Sequence, residues 1–194
     1  MLRVLEVCTE STPAYALVFK RAQLINRKHG HLVQADILCS AGKEVRQMRD
    51  QGMHVEVTDI HRSLNPIRLI QSTYNLLTVI RKHSYDVIHL HFGVPSLVGR
   101  LLAIFLRRPI WIYQSHGYSL AANTGELSRF SYLAVERLFK HTVKYALFQS
   151  HEDIEIARHY RLLKEKQIIY LGNGIDTKRF SPILLSSVPL IPSP

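Results

Sequence analysis

The chain has 194 residues, 46% hydrophobic and 21% charged, enough for one core of ordinary size and too few for a second full domain beside it. A formal charge of +10 and a pI near 9.8 ask for an anionic partner: nucleic acid, an acidic membrane surface or phosphorylated substrates. The basic residues are scattered, without a tract of five and without a nucleic-acid-binding motif, so sequence-specific nucleic-acid binding is not expected and loose attachment to acidic lipid is favoured.

Residues 3–9 predict a first strand with Val4, Leu5, Val7 and Cys8 inside, too continuous an apolar run for a sheet with one wet face. Arg3 and Glu6 within that run are foreign to a signal-peptide core, so a cytoplasmic location is expected. Cys8 and Cys39, each in a predicted strand, then read as two reduced core thiols. Ser11 or Thr12 caps the next helix, with Pro13 in its first turn, Ala14, Val18, Ala22 and Ile25 on one stripe, and Gly30 at its end. Residues 33–39 make a second strand, 43–51 a polar helix and 55–57 a short third strand. From Asn65, with Pro66 at the first helical position, a long helix carries Ile67, Ile70, Tyr74, Leu77 and Ile80 at three- and four-residue spacing, a stripe expected to pack on the sheet.

Residues 86–91 form the fourth strand and 96–106 the next helix. The apolar stretch 94–106 is broken by Arg100 and falls short of the roughly twenty residues that a bilayer requires. Pro109 announces a fifth strand at 110–114, followed by a helix at 128–142, a strand at 145–149, a helix at 152–160 and a strand at 167–171. The basic clusters on these helices (Arg21, Arg27 and Lys28; Arg81 and Lys82; Arg100, Arg107 and Arg108; Arg137, Lys140 and Lys144) read as solvated faces. Strands and helices that alternate with short connections predict an α/β domain, a Rossmann-like parallel sheet with helices on both faces. It is expected over residues 1–182. The Pro- and Ser-rich residues 183–194 read as a linker or tail, with no room for a second domain.

In such a sheet ligands bind beyond the carboxyl ends of the strands. The first of these loops, Glu10-Ser-Thr-Pro-Ala, lacks the Gly-x-Gly-x-x-Gly of a dinucleotide-binding site, which argues against a dehydrogenase. The helix N-terminus at Ser11 and Thr12 could still attract a phosphate through its free amides. His89 and His91 lie two apart on a strand and share a face, so a metal site is conceivable if a third ligand arrives; polar residues at a sheet end are the favoured reading. In Ile-Tyr-Gln-Ser-His-Gly-Tyr, His116 stands where a strand stops, and Gly117 permits the tight turn that would let the imidazole project into a cleft. A last turn, Gly172-Asn-Gly, follows the seventh strand.

Five stretches follow one another: Asp-Val-Ile-His-x-His, the Ser-His-Gly-Tyr loop, Ala134-Val-Glu-Arg-Leu, Gln149-Ser-His-Glu-Asp, and Asn-Gly-Ile-Asp-Thr-x-x-Phe-x-Pro from Asn173 to Pro182. Together they resemble the N-terminal domain of the retaining glycosyltransferases of family 4, two-domain enzymes of the GT-B type, and in particular the polysaccharide-building branch. The resemblance implies transfer of a sugar from a nucleotide diphosphate donor to a lipid-linked or glycan acceptor, with no cofactor and no metal, at the inner face of the plasma membrane. It implies that His116 lies beside the donor sugar and diphosphate, supporting the departing phosphate electrostatically, with Ser11, Thr12, His91, Gly117 and Asn173 lining the substrate site. The family's Glu-x7-Glu motif, which holds the donor in the second domain, is absent, since no two glutamates are eight apart. The expectation is therefore a half-enzyme, inactive alone; the alternative is a non-catalytic module that docks a separate donor-binding domain.

Overall fold

A computed structural model describes residues 1–91, 93–117 and 126–174. The described residues contain seven strands: β1 (Leu2–Val7), β2 (Val33–Cys39), β3 (Val55–Val57), β4 (Val87–His91), β5 (Ile110–Ser115), β6 (Tyr145–Phe148) and β7 (Ile168–Tyr170). They form a single parallel sheet in the order β3-β2-β1-β4-β5-β6-β7. The helices are α1 (Ser11–Pro13), α2 (Lys20–His29), α3 (Lys43–Asp50), α4 (Pro66–His83), α5 (Gly93–Phe105), α6 (Glu126–Leu138) and α7 (His151–His159). A π-helical segment, Ala14–Phe19, joins α1 to α2. The expected Rossmann-like architecture is what the chain adopts, with each strand within a few residues of its predicted place. The proposed tail and most of the Asn173–Pro182 signature lie outside the described residues.

Two apolar layers sandwich the sheet. On one face Leu5, Val7, Ile88, Leu90, Trp111, Tyr113 and Phe148 meet residues of α4, α5 and α7. On the other, Cys8, Ala35, Ile37, Cys39 and Val55 meet Ala14, Val18, Phe19, Ala22 and Met48. Period-two alternation along buried strands produces this division. Both thiols are buried and uncrosslinked, and burial pushes Cys8 well above the usual thiol range and Cys39 up to about 11.

Three local expectations need correction. Ser11 and Thr12 do not cap the first helix; Glu10 occupies the cap position and no side chain bonds the free amides. The helix α4 is capped as expected, Asn65 accepting from the amides of Ile67 and Arg68, yet it turns a different face inward. Ser72, Leu76, Val79 and Ile80 are buried, with Leu69 and Leu77 beside them, whereas Ile67, Ile70 and Tyr74 are 76%, 70% and 68% exposed. Two apolar stripes overlap on this helix, and spacing alone does not say which one meets the sheet. Finally, Arg100 is no surface residue: it is 1% exposed, paired with Glu136 at 2.8 Å and stacked on the Tyr113 ring at 4.7 Å.

The inward face of α4 sets an asymmetric expectation for its substitutions. Leu76→Ala should cost about 2 to 5 kcal/mol of unfolding free energy, while Ile70→Ala should stay within about 0.5 kcal/mol of the parent. Urea unfolding of the two variants checks this, and equal losses would show that the outer stripe is packed after all.

Candidate functional site

The strand order reverses between β1 and β4, the place where an open parallel sheet leaves a crevice at its carboxyl end. Register brings specific residues together there. Glu6 of β1 lies opposite His89 of β4, and His91 lies opposite Gln114 of β5. Alternation turns all four to the same face, the one that also carries Cys8.

A single carboxylate oxygen organises them. Oε2 of Glu6 accepts from His91 Nε2 at 2.6 Å, from His89 Nδ1 at 2.9 Å and from Arg21 Nη2 at 3.0 Å. Arg21 reaches down from α2 and also donates from Nη1 to Gln114 Oε1 at 2.8 Å. The side chains of Glu6 and His91 are 3% and 0% exposed. Burial alone would push the Glu6 carboxyl upward, but His89, His91 and Arg21 together hold it well below the usual carboxylate range. For His91 burial wins: with His89 and Arg21 adding to it, it outweighs the pull of Glu6, and the imidazole is pushed down to about 3. The second ring nitrogen of His91, Nδ1, meets His116 Nε2 at 3.1 Å, and the two rings tilt by 42°. Burial and the charge of Arg21 push His116 down to about 4, against a hydrogen bond with the Gln149 side chain that favours the charged ring. Both rings are therefore mainly neutral near pH 7, so any support of a phosphate by His116 would come from a neutral N–H rather than from a cation.

Glu6, His89 and His91 are also a set whose ligand atoms lie within 4.8 Å of one another. The third ligand that the histidine pair needed has arrived. It comes with Arg21, whose guanidinium already donates into the same oxygen and supplies the cationic charge that a metal would bring. Contacts of 2.6 and 2.9 Å between the ligand atoms suit hydrogen bonds better than a shared ion.

The other residues singled out in the sequence fall in different surroundings. Ser11 Oγ donates to Glu44 Oε2 at 2.6 Å and Thr12 Oγ1 to Glu44 Oε1 at 3.0 Å, so both hydroxyls are committed to a carboxylate from α3. Those bonds, Ser11 foremost, hold the Glu44 carboxyl below its ordinary range, and an anion approaching this helix end would meet its negative charge. Gly117, with φ of +116°, makes the turn after His116 in a backbone conformation that suits glycine. Asn173 is exposed just beyond β7, the edge strand, with β5 and β6 between it and β4. Thus His91, His116 and Gly117 are brought together, and Ser11, Thr12 and Asn173 stand apart from them. Sequence reasoning missed Glu6, Arg21, His89 as a partner of Glu6, and Gln114. A carboxylate inside an apolar strand was the available signal, because burial demands partners for it.

On the opposite face of the sheet a cleft of about 690 Å³ opens among the loops after β1, β3 and β4 and helices α5 and α6. Thr9 and Glu10, Arg62 and Leu64, Val94 and Tyr132 are among its walls. Apolar side chains dominate this lining, and charged groups, Arg62 and Glu10 at 3.3 Å, stand at its rim.

Comparison with known proteins adds a lineage to this geometry. Residues 23–179 match the family model described as Glycosyltransferase Family 4. A curated Escherichia coli protein, UDP-Gal:alpha-D-GlcNAc-diphosphoundecaprenol alpha-1,3-galactosyltransferase, is 22% identical over 128 residues, 66% of this chain and 33% of its own length. Among solved structures, a glycosyltransferase from Rickettsia africae superposes with a TM-score of 0.69 at 14% identity, covering 97% of this chain and 46% of that one. Sucrose-phosphate synthase from Thermosynechococcus elongatus gives 0.68 at 14% identity, over 94% and 51%. The chain thus spans about a third to a half of the length of these relatives.

The buried histidine makes stability depend on pH with a definite sign. The folded pKa of His91, about 3, lies below its ordinary 6.5, so its contribution is complete above 6.5 and is withdrawn as pH falls toward 3. The slope reaches about 1.4 kcal/mol per pH unit. Glu6, held low as well, acts in the same direction below 4.5. The urea midpoint should therefore fall between about pH 7 and pH 5, and His91→Leu should flatten that dependence. An unchanged midpoint in the parent chain would mean that His91 is already charged in the native state.

Proposed function

The chain belongs to glycosyltransferase family 4, and from that premise we propose that it is the acceptor side of a GT-B enzyme moving a sugar from a nucleotide diphosphate donor to a lipid-linked or glycan acceptor. The observation that carries the reading is the apolar-walled cleft at the carboxyl ends of β1 and β4, where the strand order reverses. Its lining suits a hydrocarbon-bearing acceptor, and the Escherichia coli relative, by its name, acts on a diphosphoundecaprenol-linked sugar. His116 is the residue we place nearest the chemistry, on the loop after β5 and backed by His91. The donor, in this reading, is held mainly by a second domain that brings the Glu-x7-Glu motif.

The same reading has the molecule work at an anionic membrane surface. No described helix is long and apolar enough to cross a bilayer. The outer stripe of α4, however, leads away from Leu64 and Arg62 at the cleft, and Ile67, Ile70 and Tyr74 stand exposed beside Arg68. Apolar contact together with basic charge is what attachment to acidic lipid needs.

Three measurements bear on this function. The purified chain, incubated with labelled nucleotide-sugars and lipid acceptors, should transfer nothing alone and gain activity when a donor domain is added in trans; robust transfer by the chain alone would overturn the half-enzyme reading. In a transferase containing this domain, His116→Ala should lower turnover about a hundredfold, and undiminished turnover would return His116 to a structural role. Cosedimentation with anionic vesicles should weaken as salt approaches about 1 M, where screening acts within roughly 3 Å, and should weaken again in the Ile67→Ser, Ile70→Ser double variant. Equal retention on neutral vesicles at high salt would exclude the membrane reading.

A further inference from the structure

The charged side chains of the cleft on the face opposite Glu6 are balanced: Arg62 faces Glu10 and Arg100 faces Glu136, one base against one acid in each pair. What remains unbalanced is the start of α5. Gly93, Val94 and Pro95, its first three residues, all belong to the cleft wall. First-turn amides have no partner within their own helix, and because Pro95 carries no N–H, those of Gly93 and Val94 are the ones presented. No acidic side chain lies in this first turn, whereas Glu44, Glu126 and Glu152 stand in the first turns of α3, α6 and α7, and Asn65 caps α4. The preceding residue in the sequence, Phe92, has no side-chain oxygen to offer to the amides. The positive end of the helix dipole is therefore directed at the cleft without a compensating group from its own turn.

Ser96 supplies a second, independent observation. It is 2% exposed, and its Oγ has no hydrogen-bond partner, a costly state for a buried hydroxyl. Ser96 lies one helical turn before Arg100, which lines the cleft, so the two share a face, and side chains on a helix lean toward its N-terminus. The hydroxyl thus stands behind the amides of Gly93 and Val94 as a third donor in want of an acceptor. A Cβ added at Gly93 would meet nothing within 4 Å, so there is open space at the helix start. We propose that the start of α5, together with Ser96, is an anion site that holds the diphosphate joining hydrocarbon to sugar in a lipid-linked acceptor, while apolar walls of the cleft such as Leu64 and Leu97 take the first part of the hydrocarbon. The identity of the ester rests on the transferase reading; the anion site rests on the helix end and on Ser96.

Isothermal titration calorimetry of the whole chain at about 0.15 M salt tests the site with three probes: farnesyl diphosphate, farnesol and inorganic pyrophosphate. Farnesyl diphosphate should bind at a single site and more tightly than either of the others. Ser96→Ala, which removes a hydroxyl and no charge, should weaken that binding about tenfold and leave farnesol unchanged. Gly93→Asp places a carboxylate at the site and should abolish diphosphate binding; because an acid in a first helical turn is favourable, its thermal midpoint should not fall. Undiminished binding of farnesyl diphosphate by either folded variant would overturn the proposal, as would equal affinity for farnesol and farnesyl diphosphate in the parent chain. Should Gly93→Asp fail to fold, Ser96→Ala still decides. If pyrophosphate binds as tightly as farnesyl diphosphate and is lost in the variants, the anion site stands and the lipid-linked acceptor falls.

Discussion

One carboxylate oxygen, Oε2 of Glu6, takes hydrogen bonds from Arg21, His89 and His91, and the order of the crevice depends on it. An isolated charge at that depth would be strongly unfavourable, and removing one partner of such a buried pair typically costs about 3 to 5 kcal/mol. The partners come from α2 and β4, and Arg21 extends the network to β5 through Gln114. Three neighbouring strands and the helix above them are thereby fixed in register at the point where the strand order reverses. That is where an open α/β sheet has the least packing of its own to define geometry.

The polar cluster and the apolar cleft occupy opposite faces of the same strand ends. Strand alternation makes this possible, since Glu6, His89, His91 and Gln114 turn one way while Val7, Leu90 and Tyr113 turn the other. A second buried pair, Arg100 with Glu136, lies beneath the cleft on its own face. Each face thus carries one neutralised charge pair close to the strand ends, and neither adds net charge there. The first loop is different. Glu44 commits Ser11 and Thr12, so the helix end that could have drawn a phosphate presents a carboxylate instead.

Much of this fold was legible in the sequence because the strands are buried on both faces and read as short apolar runs between turn residues. The capping of α4 by Asn65 before Pro66 was legible for the same local reason: cap chemistry is decided within a few residues. Its inward face was not, because Leu69, Leu76 and Val79 form one apolar stripe and Ile67, Ile70 and Tyr74 another, and only tertiary packing chooses between them. His91 and His116 were legible as strand-end residues. The network they belong to was not, for it is anchored on Glu6, 85 residues from His91, and on a guanidinium that local reading assigned to solvent. Ser11 and Thr12 were misjudged for a related reason: their partner Glu44 lies more than thirty residues away. Local pattern reveals what a residue is able to do, and long-range pairing decides what it is occupied with.

The charge of the chain can be followed through the same pairings. Arg21 and Arg100 are spent on Glu6 and Glu136, one base against one acid in each case, so the net charge of +10 remains with the other residues, largely on the surface. Diffuse positive charge acts over a Debye length of about 8 Å at physiological salt, far enough to draw the molecule toward an anionic sheet of lipid but too unspecific to orient it. Orientation needs a contact that only one face can make. In the proposed membrane reading the outer stripe of α4, exposed, apolar and leading to Leu64 at the cleft, would supply such a contact. An acceptor anchored in the same lipid would then reach the cleft from the side on which the protein rests, with no need to leave the membrane. The helix therefore carries two stripes, the inner one packed against the sheet and the outer one exposed, and it is the outer one that the proposed attachment would turn toward lipid.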